Sequence, residues 1–173
     1  ELLHSDVHEE RLTALMIWVT QYQKGSADTQ AHIYDLYLKN TKWINNWDLV
    51  DTSCRDIVGA FIFDKQTEQQ RVLNKLSVSS SVWERRIAIV ATFYFIRQGE
   101  FGWTLTLAER YLDDNHHYIH KATGWMLREV GKRDREVLVD FLNSYAAKMP
   151  RTALRYAIEH FDPATRSVYL NHK

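Results

Sequence analysis

The stretch SSVWERRIAIVATFYFIRQG, residues 80–99, reads as one helix with both ends marked. Ser80 or Ser81 opens it as a cap, two arginines follow, an apolar run carries it, and Gly99 closes it. Two later stretches share that character, HKATGWMLREV at 120–130 and PRTALRYAIEHF at 150–161. Each starts basic and continues as a mixed apolar run. The segments between them read as partner helices.

Working outward, nearly every other segment is helical as well. Residues 8–25 place Leu12, Leu15, Met16 and Val19 at helical spacing and stop at Gly25; residues 26–40 follow with Ser26 as N-cap. Further helices are expected over 47–64, 67–79, 104–114, 117–132, 135–149 and 151–161, the last with Pro150 at its first turn. A short turn or helix over 162–171 closes the chain. With 6 Gly and 2 Pro in 173 residues, the chain has too few turn formers for an all-β fold. Trp47 lies 39 residues before Arg86, and Arg86 lies 39 before Trp125. Helix-pair repeats of the HEAT and armadillo class recur every ~40–47 residues, and such units bury their apolar faces only by stacking. The expectation is an all-α, HEAT-like helical-repeat solenoid (an α-α superhelix) forming a single domain over 1–173.

If positions 47, 86 and 125 are equivalent, their side chains line one concave wall. Asp51 is four residues after Trp47 and shares its helix face. Spacing alone leaves a second reading open, in which Trp47 and Trp125 are core aromatics like Trp18 or Trp83.

Charge and composition narrow the function classes. Lys and Arg total 22 and so do Asp and Glu, for a net charge of zero, whereas a nucleic-acid binder is usually basic. The balance is uneven: residues 1–114 hold 12 Lys and Arg against 16 acids, and residues 115–173 hold 10 against 6. A neutral total can therefore hide a basic surface. No run of 18 apolar residues is present, so no membrane span is expected. Cys54, alone of its type, forms no internal disulfide or Cys-based zinc site, which accords with a reducing, cytoplasmic setting. His116 and His120 are one helical turn apart, yet no third ligand accompanies them, so no metal and no cofactor is expected.

NNWDLVD (45–51), WERRIAIV (83–90), HKATGWMLREVGK (120–132) and MPRTALRYAIEHF (149–161), with LLHSDVHEERLTAL (2–15), resemble the AlkD-type DNA alkylation repair enzymes in the same order. The resemblance implies a HEAT-like DNA glycosylase that excises N3- and N7-alkylated purines from duplex DNA. It also implies functional residues: Trp47, Asp51, Arg86 (with Arg85 as the alternative) and Trp125, with Arg128 supporting or in a salt bridge. Helices N-terminal to this chain's start, which help grip DNA in family members, are expected to be missing. The chemistry suits these residue types. An alkylated purine is cationic and leaves as a neutral base, so positive charge grows on the sugar. A carboxylate at Asp51 stabilises that charge and orients water. Indoles at Trp47 and Trp125 attract it, and Arg86 would hold a neighbouring phosphate. The family is implied to work at the sugar and backbone without enclosing the base. Arg85, Arg128, Lys132, Arg133, Arg151, Arg155 and Lys42 are candidate phosphate contacts; each also reads as an ordinary helix-end cation. The expected partner is double-stranded DNA carrying alkylated purines, met by a monomer. The competing expectation is a non-catalytic HEAT-repeat paralogue that binds DNA or protein.

Overall fold

The computed structural model describes residues 1–171, and these form helices and their connections with no strand among the described residues. The architecture is the expected all-α helical-repeat solenoid class. Contacts divide the chain into two compact units, Glu1–Phe95 and Ile96–Lys173.

The first unit contains a 3-10 turn (Leu2–His4), α1 (His8–Lys24), α2 (Ala27–Lys39) and a second 3-10 turn (Thr41–Trp43). Then come α3 (Trp47–Cys54), a π turn (Arg55–Gly59), α4 (Ala60–Ile62), α5 (Gln66–Ser77) and most of α6 (Val82–Arg97). Ser26 caps α2 as expected, its hydroxyl accepting the Thr29 amide at 3.3 Å. Leu15, Tyr37, Leu49, Ile57, Leu73 and Ile87 are fully buried and form the heart of this core. The helix expected over 47–64 is continuous, but its middle is π rather than α. Gly59 ends that turn, against α6. A Cβ there would fall 2.2 Å from the Ala91 carbonyl oxygen and 2.9 Å from Tyr94 Cβ, so only glycine permits this approach to α6. Eight residues of pure α-helix would turn Gly59 roughly 80° away from the face of Asp51. The wider π turn unwinds part of that rotation, and both residues meet α6.

The second unit contains α7 (Gly102–Arg110), a 3-10 turn (Tyr111–Asp113), α8 (His117–Gly131), α9 (Arg135–Tyr145), α10 (Arg151–Ala157) and α11 (Pro163–Asn171). Its core gathers Leu127, Leu138, Leu142, Leu154 and Ile158, with Phe161 and Tyr169 at the margin. α8 packs against α10 through Gly124, where a Cβ would lie 2.4 Å from the Ala153 carbonyl oxygen and 2.6 Å from Tyr156 Cβ. Asp134 caps α9 by accepting the Val137 amide at 3.1 Å. Pro150 occupies the N-cap position of α10 rather than its first turn. The closing segment is a helix, with the Asp162 carboxylate accepting both the amide and the hydroxyl of Thr165, at 3.0 and 2.6 Å.

Candidate active site

The first turn of α3 is held from several sides. Asn46 caps it, its side chain accepting the Trp47 amide at 2.8 Å. Asp48 Oδ1 accepts the Leu49 amide at 2.8 Å, and Asp48 Oδ2 lies 2.6 Å from His8 Nε2 at the start of α1. Arg11 Nη1, one turn further along α1, donates to Asn45 Oδ1 at 3.1 Å. Beneath the turn, Leu49, Val50 and Cys54 are entirely buried. The Tyr37 and Ser53 hydroxyls meet 3.0 Å apart, and Ser53 donates onward to the Leu49 carbonyl. With its neighbours fixed inward, Trp47 is left 50% exposed.

One turn after Trp47, Asp51 faces Arg86 of α6. Arg86 Nε donates to Asp51 Oδ1 at 2.9 Å and Nη2 to Oδ2 at 2.7 Å, a complete two-pronged fork. The Arg86 side chain is 6% exposed and that of Asp51 15%. The start of α6 is anchored to suit: Arg85 Nη1 donates to the carbonyls of Ser79 and Ser80 at 2.8 and 3.1 Å. Thr41 donates to Glu84 at 2.6 Å. Burial pushes the Asp51 carboxyl above its usual range; Arg86 opposes that shift and the Asp48 charge adds to it. Removing one partner of such a buried pair costs roughly 3–5 kcal/mol, because the other charge is then stranded. The Cys54 thiol lies beneath, fully buried, and burial, aided by Asp51, holds it well above the ordinary thiol range. The result is an oriented carboxylate, mostly dry, beside a half-exposed indole. It can stabilise a developing cation or take a proton from water.

Trp47, Asp51 and Arg86 thus come together in the first unit, and Trp125 stands partly buried on α8 of the second. Arg128, one turn after Trp125, pairs through Nη1 with Glu159, the salt bridge its motif also allowed. Its Nε is buried with no hydrogen-bond partner. Lys132 and Arg133 both close on Glu129, at 2.7 and 3.3 Å. Burial alone would raise the Glu129 carboxyl, but these two cations outweigh it and hold it low. Arg151 Nη2 donates to the Leu170 carbonyl at 2.6 Å. Arg155 is exposed on α10, and Lys42 is exposed with its ammonium 5.1 Å above the Trp43 ring. His116 caps α8 through Nδ1, and the His120 ring bonds to the Asp114 carbonyl. No cluster of three or more metal-ligating side chains is present among the described residues. Nor is any described helix long and apolar enough to cross a membrane.

Several residues of the site had no place in the sequence reading. Asn46 carried a readable signal, since an Asn directly before a helical run is a preferred cap. His8, Asp48 and Glu159 carried none, because their partners are 31 or 40 residues distant and only folding brings them together.

A family model described as "DNA alkylation repair enzyme" matches residues 1–161. Among solved structures, one described as a predicted DNA alkylation repair enzyme from Enterococcus faecalis matches with a TM-score of 0.73 at 16% sequence identity. The match covers 94% of this chain and 73% of that one, and it shows the shared fold. No curated protein matches the sequence.

Proposed function

This chain belongs to the DNA alkylation repair enzyme family, and from that membership we propose that it is a DNA glycosylase. In this reading it hydrolyses the N-glycosidic bond of cationic N3- and N7-alkylpurines in duplex DNA, as a cytoplasmic monomer. The observation that carries the reading is the Asp51 carboxylate forked on Arg86, one turn from the half-exposed Trp47.

The chemistry follows from that arrangement. The C1′–N bond breaks with its electron pair going to the alkylated ring, which departs as a neutral base. Positive charge develops on the sugar, and Asp51 stabilises it. Water adds to C1′ and its proton passes to Asp51 or to solvent, leaving an abasic site. Trp47 offers an electron-rich face to the sugar, worth roughly 0.5–2 kcal/mol. With both prongs of its fork on Asp51, Arg86 serves as a positioning residue that keeps the carboxylate oriented. Lys42 and Arg155, exposed on their surfaces, supply contacts to the phosphate backbone, which makes affinity fall with salt; Arg85, Lys132, Arg133 and Arg151 join them only by leaving the protein groups they hold.

The test is release of 7-methylguanine from methylated duplex DNA. The parent protein is expected to release the base, and Asp51→Asn to lose most of that release while still binding. Release unchanged by Asp51→Asn overturns the role of the carboxylate. DNA binding by the parent protein without release establishes the non-catalytic paralogue instead.

A further inference from the structure

Arg128 differs from Arg86 in how its guanidinium is used. Arg86 engages a carboxylate through Nε and Nη2 together. Arg128 reaches Glu159 through Nη1, and its Nε is buried without a partner. A buried donor left unsatisfied is unfavourable by about 1–3 kcal/mol, so the arrangement is incomplete as it stands. Its partner is also open to solvent. The Glu159 side chain is 51% exposed, against 20% for Arg128, and lies in the turn that follows α10. A pair with one exposed member contributes only about 0–1 kcal/mol. Arg128 follows Trp125 by three residues on α8, so the two share a helix face.

We propose that the Glu159 carboxylate stands in for a DNA phosphate on Arg128 and is displaced when duplex DNA arrives. The exchange replaces a single-pronged contact to a solvent-exposed carboxylate with a two-pronged contact to a phosphate, which matches the arginine fork. Glu159 then lowers the affinity for all duplex DNA by competing for Arg128, and so limits residence on undamaged sequence. The proposal rests on the DNA-repair reading above but not on the glycosylase chemistry.

A double-mutant cycle on a labelled, undamaged duplex tests it, with affinity measured across a range of salt. Glu159→Gln is expected to tighten binding up to about fivefold. Arg128→Ala is expected to weaken binding and to reduce the salt slope by about one. The double variant should behave as Arg128→Ala alone, because Glu159 acts through Arg128. If Arg128→Ala unfolds the protein, Arg128→Lys replaces it, keeping the charge and losing the fork. Equal tightening by Glu159→Gln in both backgrounds overturns the proposal, since Glu159 would then act only as a repelling charge. So does an unchanged affinity, and so does a parent protein that does not bind duplex DNA. Absent base release with the cycle intact sinks the glycosylase reading alone.

Discussion

In the first unit Gly59 lies against Ala91 and Tyr94 of α6; in the second, Gly124 of α8 meets Ala153 and Tyr156 of α10. Both contacts set a glycine on the backbone of an Ala-x-x-Tyr segment, and both leave no room for a Cβ. The polar pairs beside them differ. Asp51 and Arg86 are buried and matched at two points, whereas Arg128 and Glu159 meet at one point with the acid in solvent. One way of joining helices therefore stands beside two electrostatic arrangements: a carboxylate fixed and buried on its arginine, and an arginine whose acid partner is open to solvent.

Several experiments break or sharpen that contrast. The largest expected effect is on the acids. Asp51→Asn should lower base release by about 10²–10⁴-fold, the range for a group acting on the reacting centre, while Glu159→Gln leaves single-turnover release intact. Equal losses would erase the distinction between the pairs. Next come the glycines. Gly59→Ala and Gly124→Ala should each lower stability by about 1–3 kcal/mol in denaturant unfolding, through overpacking. Only Gly59→Ala should also disturb the pH dependence of release, because only it displaces the segment bearing Asp51.

Arg86→Lys sharpens the electrostatic side. Burial already raises the Asp51 carboxyl, and Arg86 opposes that rise. Lysine cannot form the fork, so the carboxyl rises further. Release requires the ionised form, and the acid limb of the pH–rate profile should therefore move to higher pH. Arg128→Lys should leave that limb in place; a shift of the same size in both would show that the two arginines act alike. The smallest effect concerns stability. Trp47→Ala should change it by no more than about 0.5 kcal/mol, since half the indole is in solvent, yet slow release. A large drop in melting temperature would make Trp47 a structural residue.

Much of this was legible in the sequence. Ser26, Gly25 and the apolar spacing of 8–25 marked their helices because caps and periodicity are local. The 39-residue interval between Trp47 and Arg86 put Asp51 and Arg86 on facing helices, where they meet as a mostly buried pair. The π turn at Arg55–Gly59 was not legible, because it arises from packing against α6 and the residues RDIVG read equally well as α-helix. The pairing of Lys132 and Arg133 with Glu129 is a different case: they stand three and four residues after it, a helical spacing that sequence alone could have offered. The Arg128–Glu159 pair spans 31 residues and has no periodic signature.

The buried thiol of Cys54 has its own consequence. Alkylating agents also attack soft nucleophiles in proteins, and for cysteine the reactive species is the thiolate. Sealed under the Asp51–Arg86 pair and held protonated, the chain's single cysteine offers such reagents no target while the fold persists.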